Sequence, residues 1–127
     1  MKKTAAALCV LALAATALAQ SPMIKRTMLG RIDVPDSNRE AVTAIAEIAP
    51  GGAAGRHTHP GVETSYVMEG SATLLIDGEP PRLLKAGDSF TIPMGKVHDA
   101  KVEGNTPLKV IVTYVVEKGK PLATPAP

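Results

Sequence analysis

Residues 51–70 read GGAAGRHTHPGVETSYVMEG. Turn residues close this stretch at both ends, Gly51-Gly52 before it and Glu69-Gly70 after it. Between them lies His57-Thr58-His59, two imidazoles separated by one residue. In extended chain, side chains alternate, so both imidazoles point to one face. Glu63 follows four residues after His59, with Pro60-Gly61 between them to turn the chain back. A carboxylate on the following strand, Thr64 to Met68, can then join the pair. The third histidine outside the first 19 residues, His98, stands after the turn Pro93-Met94-Gly95, where a closed barrel would bring it beside the others.

Outward from this stretch, short apolar runs alternate with turn clusters and no helical period intervenes, which predicts an all-β domain. The expected strands are Arg26 to Ile32, Ala41 to Ala49, Thr64 to Met68, Ala72 to Ile76, Arg82 to Leu84, Ser89 to Ile92, His98 to Val102 and Leu108 to Val116. Asp77-Gly78 is the strongest two-residue hairpin signal, because both positions tolerate positive φ. Strands at this spacing suggest a closed barrel or jelly roll, since closure removes exposed edges. The Pro-rich segment Lys118 to Pro127 is expected to run over the surface or fray.

Three neutral imidazoles and one carboxylate suit one divalent transition ion: Mn, Fe, Co, Ni, Cu or Zn. They suit Ca and Mg poorly, since those ions prefer oxygen. Four protein ligands, His57, His59, Glu63 and His98, leave two positions of a six-coordinate ion open to a small molecule or to dioxygen.

Residues 1–19, MKKTAAALCVLALAATALA, carry two lysines, an apolar run and a terminal Ala17-Leu18-Ala19, the pattern of a signal peptide. Cleavage after Ala19 would leave a mature chain starting at Gln20, in a periplasmic or secreted setting and with no membrane attachment. Without Lys2 and Lys3, 12 basic side chains balance 12 acidic ones. No basic excess remains for phosphates, so nucleic acid is not an expected partner. The one cysteine, Cys9, lies in the leader, so no disulfide can brace the mature domain. With two Tyr, one Phe and no Trp, a stacking platform for sugars or bases is hard to assemble.

These residues resemble the cupin family. Gly51, His57, His59, Glu63 and Gly70 fit its first motif, G-x5-H-x-H-x3,4-E-x6-G, without a gap. Gly87, Pro93, Gly95 and His98 fit the second, G-x5-P-x-G-x2-H-x3-N, whose final Asn is replaced by Val102. The resemblance implies a small single-domain cupin over residues 20–117, a conical jelly-roll barrel with metal in its mouth, and a homodimer. The apolar outer residues of Leu108 to Val116, Ile111 and Val115, would also give a second copy something to cover.

If Glu63 faces inward, so do Ser65 and Val67, while Phe90 and Ile92 share one face of their strand. These four are the expected pocket lining. Two functions are compatible with such a site. One is a metal-dependent enzyme acting on a small molecule, dioxygenase- or isomerase-like by resemblance. With no spare histidine, its proton transfers would fall to a carboxylate, to Tyr66 or to a metal-bound hydroxide. The other is a module that holds a metal or small ligand without turnover.

Overall fold

The computed structural model describes residues 24–127; the leader and the Gln20 start fall outside them. Ten strands follow in order: β1 (Ile24–Asp33), β2 (Arg39–Ile48), β3 (His57–Thr58), β4 (Gly61–Glu69), β5 (Ser71–Ile76), β6 (Arg82–Lys85), β7 (Ser89–Ile92), β8 (His98–Glu103), β9 (Leu108–Glu117) and β10 (Thr124–Pro125). Among the described residues there is no helix. All pairings are antiparallel, in two five-stranded sheets ordered β1-β2-β9-β4-β7 and β10-β3-β8-β5-β6. This is the jelly roll expected from the strand spacing.

Alternation along the strands builds the core. Val42, Ala44, Ala46 and Ile48 of β2 are buried, as are Leu108, Val110, Val112, Tyr114 and Val116 of β9. They meet Leu74, Leu84, Phe90 and Ile92 from the remaining strands. Small and β-branched side chains dominate because the two sheets face each other closely and leave room for few rings. Gly61 shows how tight one crossing is: a Cβ there would overlap the Val115 carbonyl and the Val116 backbone.

Two local expectations change in the structure. Asp77-Gly78 does form a turn, closed by the Glu79 N–H donating to the Ile76 carbonyl at 2.9 Å. Only Gly78 takes positive φ (82°), however, so this is not the two-residue hairpin in which both positions are left-handed. Pairing of β5 with β6 begins only at Leu74↔Arg82. Pro80 and Pro81 have no N–H for the ladder, and the loop lengthens around them.

The second change concerns residues 118–127. They run along the surface but do not fray: β10 pairs with β3 through Thr124↔Thr58 and Pro125↔His57. The Ala126 N–H donates to the Arg56 carbonyl at 2.9 Å, and the Arg56 guanidinium donates to the Pro127 carbonyl. Arg56 also holds Asp77 through both nitrogens, at 2.7 and 2.9 Å. The segment is therefore a strap across the strand that carries His57.

Candidate metal centre

The four histidine and glutamate positions converge from both sheets. His57 and His98 are direct register partners on β3 and β8, so their side chains share a face and their rings lie 4.2 Å apart. His59 follows β3, where its carbonyl accepts the Gly95 N–H at 3.1 Å. That bond ties the Pro93–Lys96 turn, and with it the approach to His98, to the first histidine pair. Gly95 takes φ 71° in this turn, a backbone shape that a side chain would strain. Glu63 reaches in from β4 on the opposite sheet.

All four residues are buried, and their ligand atoms lie within 4.8 Å of one another. Ligands about 2.1 Å from a common ion lie roughly 3.0–4.2 Å apart, so drawing the widest pair in by about 0.6 Å would complete one coordination sphere. The hydrogen bonds behind the rings fix their tautomers. Nδ1 of His57 faces the Gly55 carbonyl at 2.6 Å, that of His59 the Leu122 carbonyl at 2.6 Å, and that of His98 the Lys96 carbonyl at 3.0 Å. A carbonyl only accepts, so each Nδ1 carries the proton and each Nε2 of a neutral ring presents a lone pair to the centre.

The consequence is sharpest at His59. Its Nε2 is buried, has no hydrogen-bond donor, and lies 2.8 Å from Glu63 Oε2. His98 Nε2 lies 3.4 Å from the same oxygen. Acceptors held this close in a dry site repel unless a cation, proton or metal, stands between them. Ser65 Oγ donates to the other Glu63 oxygen at 2.7 Å, leaving Oε2 aimed at the histidines. The residues present thus fit a divalent transition ion, and His57, His59, Glu63 and His98 could bind one.

Without a metal the titrations express the same conflict. Burial pushes His57 down to about 4, against the opposing pull of its Gly55 bond. Burial is the largest single influence on His98 and lowers it, but the Glu63 contact, the Lys96 carbonyl and the charges of Glu63 and Asp99 together raise it above the ordinary histidine value. Burial would raise Glu63, yet the close imidazoles of His59 and His98, with the Ser65 hydroxyl, hold it well below the usual carboxylate range.

Of the expected pocket residues, Phe90 lines an apolar cavity of about 40 Å³ that also touches His57, Glu63 and His98. Ser65, Val67 and Ile92 are buried on the inward faces as expected but are not part of its wall. Ser65 orients Glu63 instead, while Val67 and Ile92 are core. Tyr66 is half exposed on the outer face, directly opposite Ile111, and takes no part in the site. The tyrosine at the centre is Tyr114. It is register-paired with Glu63, and its ring stands 4.7 Å from that of His59. Burial, and then the Glu63 charge, push its phenol above the ordinary value.

Sequence reading also missed Arg26, whose Nε approaches Tyr114 Oη at 3.4 Å, and the Leu122 carbonyl behind His59. Strand alternation could have placed Tyr114 inward. Nothing local marks Leu122, which lies 63 residues from its partner.

Residues 44–114 match the Cupin domain family, and the chain belongs to it. Germin-like protein subfamily 2 member 1 of Arabidopsis thaliana is 37% identical over 73 residues, which are 54% of this chain and 33% of that protein. The chain thus spans about a third of the length of that curated relative. Among solved structures, DMSP lyase DddQ from Ruegeria pomeroyi DSS-3 superposes with a TM-score of 0.71 at 21% identity, covering 92% of this chain and 59% of that one, a likeness of fold. An oxalate oxidase in complex with the substrate analogue glycolate gives a TM-score of 0.58 at 27% identity, covering 63% of this chain and 44% of that one.

Proposed function

We propose that this protein is an exported, mononuclear metal-dependent enzyme acting on a small molecule, in the manner of the dioxygenase- or isomerase-like cupins. One observation carries the reading: three buried imidazole lone pairs and one carboxylate oxygen face each other beside an apolar cavity, an arrangement that a bound divalent cation relieves at all four groups at once. Proteins of similar fold, a DMSP lyase and an oxalate oxidase, support small-molecule chemistry without selecting a reaction.

When bound, the metal would supply Lewis acidity or dioxygen activation at its open positions. The chain's own residues do the rest. The carbonyls of Gly55, Leu122 and Lys96 hold the three rings in the ligand tautomer. Glu63 lowers the formal charge of a divalent site to about +1. Leu74, Leu84 and Phe90 exclude water from the cavity beside it. Tyr114 keeps its proton at neutral pH while its oxygen accepts from Arg26 Nε.

That protonated Tyr114 also favours a second reading, a binding module without turnover, because it leaves no evident general base. The two separate on Glu63→Gln, compared with wild type at equal measured metal content against a panel of phenols, diketones and flavonols. Oxygen uptake or loss of ultraviolet absorbance that falls in the variant supports the enzyme. Equal rates remove the role given to Glu63, and no turnover with any class supports the module. Metal analysis of protein taken from its natural compartment identifies the ion, and full stoichiometry in a His57→Ala/His98→Ala double variant would overturn the ligand set. Export rests on residues 1–19 and is tested by N-terminal sequencing, which should return Gln20.

A further inference from the structure

We propose that the site takes a small organic carboxylate and that Arg26, on the inward face of the edge strand β1, is the residue that recognises its charge. This rests on the metal-dependent reading above and adds the ligand class. Strand register decides where Arg26 points. Ile24, Arg26 and Met28 pair with Ile48, Ala46 and Ala44, all buried on the inward face. Arg26 therefore stands in the row of Ala46, Val110 and Val67, where an apolar residue would be expected. The short Ala46 side chain leaves space for the arginine stem to lie over the sheet.

Among the described residues the charge of Arg26 is not matched. Neighbouring cations have carboxylates: Lys25 and Lys109 share Glu47, Arg31 has Glu40, Arg56 has Asp77, and Lys118 has Asp33. Arg26 makes no ion pair among the described residues, and residues 1–23 contain no Asp or Glu to provide one. Its recorded side-chain bond is the long contact from Nε to Tyr114 Oη, which leaves the guanidinium fork without a carboxylate. A half-buried guanidinium is held there at a cost in hydration that an anionic ligand offsets.

The space around it has the matching shape. A recess of about 330 Å³ is walled by Arg26, Arg56 and His57 on one side and by Ala123 and Pro125 of the strap on the other. It adjoins the inner apolar cavity, sharing Ile24, Ala54 and His57 with it. Arg56 is already neutralised by Asp77, so Arg26 is the cation open to a ligand in this recess. A carboxylate paired in bidentate fashion with the Arg26 fork would direct the short apolar remainder of the molecule past His57 toward the centre. The inner cavity has room for about three waters, which limits that remainder to a few atoms.

The test uses the full chain loaded with zinc, as wild type, Arg26→Met, Arg26→Lys and Lys25→Met. Lys25→Met removes the same charge one residue away on the outward face. Calorimetric titration compares butanoate with butanamide and propanoate with propanamide, each amide being the neutral analogue. The expected result is carboxylate binding at least about tenfold tighter than amide binding in wild type and in Lys25→Met. Arg26→Met should lose that preference with amide binding unchanged, and Arg26→Lys should keep part of it. Equal affinity for acid and amide, undiminished carboxylate binding in Arg26→Met, or no binding of either carboxylate overturns the proposal. Zinc stoichiometry is measured in the same samples and the titrations are repeated without metal. A wild type that binds no zinc but keeps an Arg26-dependent carboxylate preference removes the metal reading and supports the anion site. Full zinc with no such preference does the reverse.

Discussion

Ending the chain after Lys118 removes the strap and, with it, the Leu122 carbonyl that holds His59. The Nδ1–H···O=C bond is 2.6 Å long, and His59 is only 3% exposed, so its donor would be left in a largely dry site. An unmet buried donor costs about 1–3 kcal/mol. At roughly 1.4 kcal/mol per decade this is about a 5- to 140-fold loss in metal affinity. Loss of an outer hydrogen-bond partner of a metal-bound histidine typically costs about 10- to 100-fold, in agreement. Truncation also lets water reach Nδ1, so the lower part of that range, about tenfold, is expected. The barrel itself should survive, because β10 contributes only Thr124 and Pro125 to the edge of its sheet. Zinc affinity is measured by chelator competition and the dissociation rate by stopped flow, with circular dichroism to show that the fold remains. Ala126→Pro, which deletes only the donor to the Arg56 carbonyl, should give a smaller loss in the same direction. A folded, truncated protein whose zinc affinity and off-rate stay within about twofold of wild type would refute the idea that the strap holds His59.

Three further outcomes are expected. Because Glu63 raises His98, protons compete for that ligand already above pH 6.5, whereas His57, lowered to about 4, is protonated only in strong acid. His98 therefore adds stability to the metal-free protein below its unfolded pKa that is lost as pH rises through its folded pKa, so the rise in melting temperature caused by zinc should be larger at pH 8 than at pH 6; a flat or reversed trend contradicts this. Gly61→Ala should destabilise the domain by about 3 kcal/mol or prevent folding, as read by urea denaturation, since the new methyl group overlaps Val115 and Val116 backbone atoms across β9. We also propose a homodimer through the outer face of the first sheet, where Val62 and Tyr66 are exposed beside the half-buried Val115 and Ile111; Tyr66→Glu should convert it to monomer in light scattering, and a wild type already monomeric at tens of micromolar counts against it.

Eight of the ten strands were legible because their information is local, whereas the two-residue β3 and β10 exist only through their pairing across the sheet. A period of two in Ala41 to Ala49 or Leu108 to Val116 reports one buried face whatever the partner strand. The ligand set was legible for a related reason: H-x-H in extended chain and a carboxylate after Pro60-Gly61 fix their own relative directions, and the Pro93–Gly95 turn marks His98 as their companion. The Cupin domain match over 44–114 agrees with those residues. What the sequence could not carry were relations that exist only after the sheets close. Alternation can turn Tyr114 inward and Tyr66 outward, yet only register pairs Tyr114 with Glu63 and sets its ring beside His59. Asp77-Gly78 reads as a tight hairpin until Pro80 and Pro81 withhold the donors the ladder needs. Arg26 looks like one more surface cation until register places it in a row with Ala46 and Val110. The strap is the extreme case: a backbone carbonyl carries no side-chain identity, so only the folded chain could show that Leu122 completes the setting of His59.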